Sequence, residues 1–187
     1  MDESCPEQLE IAYAMIAGDD VPGTYAEAMT ELNKPLWQSP IQHEIKAHKD
    51  NNTWELIDAT TLPPNVKLVG TRWVMAVKKD EHGNFVKRKA RVVAQGFSQR
   101  PGIDYDDTYS PVIRYDSLRL IIFVAIFKGW LLRQIDFNAA YLNGLLQHVI
   151  YARCPPGVGR PGQVLRLLKA LYGLKQSGRE WYSVLST

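Results

Sequence analysis

Two β-rich runs, residues 68–79 and 85–96, flank the stretch Asp80-Glu81-His82-Gly83-Asn84, and this pattern constrains the chain more than any other. Branched and aromatic residues favour pleated strands, and a short Asp/Gly/Asn connection favours chain reversal, so the segment predicts a β-hairpin. Side chains alternate between faces along a strand. Lys87, Lys89 and Arg91 therefore share one face of the second run, and Arg88, Ala90 and Val92 the other. A row of cations on one β face suits a polyphosphate or a nucleic-acid backbone. A solvated outer face accounts for the same row.

Composition sets few limits. A length of 187 residues suffices for one domain with its own core. The net charge of +2 neither requires nor excludes a nucleic-acid partner. The distribution says more: residues 78–100 are strongly basic, whereas the first 31 residues contain no Lys or Arg. Cys5 and Cys154 show no metal spacing and no disulfide framework, which points to a reducing, intracellular compartment, cytoplasmic or nuclear. No signal peptide is visible. The longest apolar stretch, 118–127, is interrupted by Arg119 and is too short to span a bilayer, so no membrane partner is expected.

Residues 1–23 read as a poorly ordered leader with a short helix at 9–17, and 24–187 as one domain. Trp37, Ile41 and Ile45 have helical spacing, ending near 50–52; Pro40 requires that helix to start close by. A strand is expected at 53–57 and a loop at 100–111. A helix is expected at 116–127, capped by Asp116 or Ser117, with Leu120, Ile121, Val124 and Ala125 on its apolar side. A strand at 130–137, a turn and short helix at 138–146, a strand at 149–152 and a helix at 177–185 follow. The order is a helix, a hairpin, a helix and then βαβ elements, which is an α+β fold.

Asp136 would end the strand at 130–137, ahead of Phe137-Asn138-Ala139-Ala140-Tyr141. A carboxylate there can meet a metal while the following backbone N–H groups meet phosphate. Equally, it can simply cap the next turn. Gln176 follows a glycine turn and precedes a helix, where an amide can touch a sugar or base or merely open the helix.

Taken together, Trp54-Glu55-Leu56, Gly70-Thr71-Arg72-Trp73-Val74, Lys89-Ala90-Arg91-Val92-Val93-Ala94-Gln95-Gly96-Phe97, Tyr109-Ser110-Pro111-Val112, Gln134-Ile135-Asp136, Tyr141-Leu142-Asn143-Gly144 and residues 169–176 change the reading. In this order and spacing they resemble the reverse transcriptase of copia-type LTR retrotransposons across residues 25–183. The resemblance implies a partial right-hand polymerase, with a fingers β-hairpin and an incomplete palm. It implies an RNA-directed DNA polymerase that takes a template-primer of RNA or DNA and a dNTP, within a Pol polyprotein, using Mg²⁺. Asp136 then matches the first catalytic, metal-binding carboxylate, and the Phe137 carbonyl a further metal ligand. Lys79, Lys89 and Arg91 match residues reaching the triphosphate, and the N–H groups of Ala139 and Ala140 would hold its oxygens. Tyr141 matches the aromatic that excludes a 2′-hydroxyl, and Gln176 the residue beside the incoming sugar.

The departures point the other way. The family completes its metal site with an aromatic-x-Asp-Asp turn beyond the position of Gln176, and no such turn follows here before Thr187. Tyr105-Asp106-Asp107 lacks the intervening residue and precedes Asp136. Where the family usually has Val-Lys-x-Ala-Phe, this chain has Phe137-Asn138-Ala139-Ala140-Tyr141. One carboxylate does not hold two Mg²⁺ ions, so a fragment inactive by itself is expected. The alternatives are a nucleic-acid-binding relic without chemistry, and a degenerate remnant whose exposed apolar surface promotes aggregation.

Overall fold

A computed structural model describes residues 21–137 and 139–186. The expected helix at 9–17, and most of the leader, lie outside the described residues. A short helix α1 (Tyr25–Ala28) leads into the long helix α2 (Lys34–Asp50). Pro35 occupies the first turn of α2, but Pro40 lies inside the helix and not near its start as expected. An interior proline removes one backbone bond and costs about 3 kcal/mol. Burial of Leu36, Trp37 and Ile41 on either side of it offsets that cost, at about 1.5–3 kcal/mol each.

These residues pack on the expected hairpin, β2 (Thr71–Lys79) and β3 (Phe85–Ala94), against Trp73, Met75, Ala90 and Val92. The register pairs Trp73 with Val92 and Met75 with Ala90, so the apolar face is continuous across both strands. At the turn, the Asp80 carboxylate accepts from the N–H groups of His82 and Asn84 at 2.9 and 2.8 Å. The Asn84 side chain and the backbone bonds to this carboxyl hold it below the usual carboxylate range.

A second, three-stranded sheet has the order β1-β5-β4, from β1 (Trp54–Asp58), β4 (Leu145–Arg153) and β5 (Gln163–Lys169). All of its pairings are antiparallel, and with no strand at 130–137 the expected strand–helix–strand unit ending at 149–152 does not form; a Pro/Gly-rich loop joins β4 to β5. Val69, Ala94, Leu142, Ile150, Leu165, Leu167 and Leu171 form its core. Because Ala94 ends β3, the hairpin feeds into this second core. Val69 fastens the two sheets together, donating to Tyr151 O and accepting from the Arg153 N–H, both at 2.9 Å.

Two further expectations are corrected. Helix α3 (Tyr115–Lys128) starts after Arg114 with no side-chain cap, so Asp116 lies in its first turn and caps nothing. Its buried residue is Ala125, while Leu120, Ile121, Phe123 and Phe127 are exposed. Residues 130–137 form no strand. A strand needs a neighbour for its N–H and C=O groups, and no described strand lies beside this segment. Leu131 and Leu132 also break the period-two alternation. Helix α4 (Ser177–Leu185) forms where expected.

Candidate nucleotide-binding groove

Antiparallel partners lie on the same face of a sheet. Lys78 stands opposite Lys87, Ala76 opposite Lys89, Val74 opposite Arg91 and Arg72 opposite Val93. The basic face of the hairpin thus gains Arg72 and Lys78 from β2. Opposed like charges repel, so an anion on this face relieves a standing cost.

Beside this face, the open edge of β3 along residues 87–91 borders a groove of about 820 Å³. One side is α2, with Ser39, His43, Glu44 and Ala47; β3 contributes Lys87, Lys89 and Arg91. Ala139, Leu142 and Tyr172 line the other side. Burial, followed by the charges of Arg91 and Lys78, pulls the Lys89 ammonium below its usual range, and Glu44 opposes the shift. Glu44 also accepts the Val92 N–H at 3.1 Å, occupying part of the otherwise open edge of β3.

The sequence-predicted residues divide. Lys89, Arg91 and Ala139 meet in the groove. Ala140 and Tyr141 lie in the 3₁₀ turn Ala140–Asn143, which starts at Ala139 in the left-handed region with φ 51°. Such a backbone is strained for alanine. The first N–H groups of a helical turn have no partner within it. The Tyr141 ring meets Tyr172 edge-on at 4.9 Å between centroids. Phe137 meets Trp181 edge-on at 5.1 Å. Asp136 is exposed and does not line the groove.

Lys79 lies beyond a register shift at the hairpin tip, outside the groove lining. Gln176 is not beside the groove either. Its side chain is buried, accepting from Gln99 Nε2 at 3.0 Å and donating to Asp104 O at 2.9 Å. The helix entry at 176–177 tucks inward beneath Leu171 and Leu174, which satisfies the amide internally. Tyr172 was not singled out by sequence reasoning, although it sits beside the glycine of the same turn.

Asp106 and Asp107 serve a different place. His148 Nε2 lies 3.0 Å from Asp106, and Arg179 pairs with Asp107. They line a small depression with Tyr105, Gln147 and Glu180. Burial pushes the Glu180 carboxyl up, against the opposing charges of Arg179 and His148.

A family model described as reverse transcriptase (RNA-dependent DNA polymerase) matches residues 51–187. The chain belongs to this reverse transcriptase family. It is 40% identical over 185 residues to the retrovirus-related Pol polyprotein from transposon RE2 of Arabidopsis thaliana, covering 97% of this chain and 12% of that protein. It is 41% identical to the polyprotein from transposon RE1 of the same plant, covering 89% of this chain and 11% of that protein. Against the polyprotein from transposon TNT 1-94 of Nicotiana tabacum it is 35% identical, covering 91% of this chain and 13% of that protein. The chain thus spans about an eighth of the length of these relatives. The kinship with copia-type retrotransposon polyproteins expected from its motifs is borne out. No solved structure matches the chain.

The family resemblance implies a metal, and its fit can be tested on the donors present. Among the described residues no group of three or more His, Cys, Asp or Glu side chains could hold an ion. The single carboxylate that the resemblance points to, Asp136, falls short of what two Mg²⁺ ions need. Nor is any described helix long and apolar enough to cross a membrane.

Proposed function

We propose that this chain is the nucleotide-gripping part of a copia-type RNA-directed DNA polymerase. One observation carries the reading: a single groove joins the basic face of the hairpin, at Lys89 and Arg91, to Ala139 at the start of the turn after Asp136. Lys89 and Arg91 grip the triphosphate of a dNTP, and the N–H groups of Ala139 and Ala140 take further phosphate oxygens. Tyr141 crowds the sugar and rejects a 2′-hydroxyl by bulk. Arg72, Lys78 and Lys87 extend the positive face along which a template-primer backbone runs.

Asp136 and the Phe137 carbonyl supply part of a Mg²⁺ site, and further carboxylates must complete it before the 3′-hydroxyl of a primer is activated. No catalytic step is assigned to this chain by itself. Helix α3 and residues 130–137 expose a broad apolar surface, which suits packing within a longer Pol polyprotein.

The lone carboxylate also favours a second reading, a nucleic-acid-binding relic without chemistry. Both readings predict that the purified chain binds a template-primer with an affinity that falls steeply with salt, and incorporates no nucleotide with Mg²⁺. Absent or salt-independent binding would remove the basic face from the account. Mg²⁺-dependent incorporation would overturn the incomplete metal site. Restored incorporation in a longer chain carrying the aromatic-x-Asp-Asp turn separates the polymerase part from the relic.

A further inference from the structure

Tyr172 touches both the basic strand, through Arg91, and the turn after Asp136, through Tyr141. Its half-buried ring lines the groove. The guanidinium carbon of Arg91 lies 5.4 Å from the centre of that ring, and the ring of Tyr141 meets it edge-on at 4.9 Å. Cation–π and edge-to-face contacts both depend on ring orientation, so a shift at one partner is felt at the other. The ring is also held firmly at its backbone. The Tyr172 carbonyl accepts the Ala94 N–H at 2.7 Å, and the next carbonyl, of Gly173, accepts the Gly96 N–H at 3.2 Å. Gly173 adopts φ +87°, which turns the chain sharply beneath the ring.

We infer that Tyr172 is a positioning and specificity residue that couples the phosphate grip of Arg91 to the sugar check made by Tyr141. The inference rests on the proposed groove function. When phosphate draws the Arg91 guanidinium, the Tyr172 ring reorients. The Tyr141 ring follows and closes on the sugar. Gln176, buried in the adjoining turn, takes no part.

Two measurements on the 187-residue chain test this. The first is NMR of the Tyr141 and Tyr172 ring resonances during titration with inorganic tripolyphosphate, which has no sugar to touch either ring. Both rings should shift together, and Arg91→Ala should abolish the response. The second is binding of dATP against ATP. Tyr172→Leu should weaken dATP about tenfold and bring the two affinities together, while Tyr172→Phe keeps both properties. Ring resonances that ignore tripolyphosphate while Lys89→Ala weakens its binding would overturn the coupling and leave the groove reading standing. A chain that binds no triphosphate at all would overturn both.

Discussion

Gly96 and Gly173 pack so closely that neither has room for a Cβ. One added to Gly96 would overlap the Gly173 carbonyl oxygen, and one added to Gly173 would overlap the Ala94 carbonyl oxygen. The hairpin and the second core are joined here by backbone contact, which fixes the end of β3 against the turn that carries Tyr172.

Gly173→Ala should therefore destabilise the chain by about 3 kcal/mol, since a left-handed φ and a clash with fixed backbone act together. Gly83 provides the comparison. Its φ is +85°, yet a Cβ there meets nothing within 4 Å. Gly83→Ala should cost about 1 kcal/mol, from the backbone conformation alone. Denaturant unfolding of both variants reads the difference, and equal costs would contradict the close approach.

The Glu180 carboxyl, pushed up by burial, makes stability depend on pH. Between its unfolded and its higher folded value the native state binds more protons than the unfolded chain, so stability falls as pH rises through that window. Below the usual carboxylate range both states are protonated and the cost is absent. Glu180→Gln should then be more stable than the parent at neutral pH and match it near pH 3. Thermal melts across pH check this; a gap that widens toward acid would contradict it.

The apolar surface of α3 predicts a different outcome for its own residues. Phe127 is 77% exposed. Phe127→Glu should change stability by no more than about 0.5 kcal/mol, as for other surface substitutions, while sharply reducing aggregation and binding of an apolar dye. A large loss of stability would show that the side chain is packed.

Much of this was legible in the sequence because it depends on local pattern. The hairpin followed from two β-rich runs and an Asp/Gly/Asn turn, and the row Lys87, Lys89 and Arg91 from simple alternation. The helix around Trp37 followed from spacing alone. The strand expected at 130–137 was not forthcoming, because a strand is a property of a pair and its partner is not written in its own residues. Helix α3 shows the same limit: apolar residues all round it announce burial without naming what covers them. That Tyr172 lines the groove while Gln176 is buried away from it has a subtler reason. Both flank the same glycine turn, and which of them faces the groove depends on Gly173 taking a left-handed φ against Ala94, a contact across the fold. The cross-strand cations Arg72 and Lys78 were within reach, since pairing the two runs through the turn sets their face.

The most direct test is calorimetric titration of the purified chain with dATP and Mg²⁺, beside the double variant Lys89→Ala/Arg91→Ala. The account predicts measurable binding that weakens with salt and falls at least about tenfold in the double variant, with melting temperature nearly unchanged. Equal affinity in the two proteins would contradict a triphosphate held between the basic strand and the turn at Ala139.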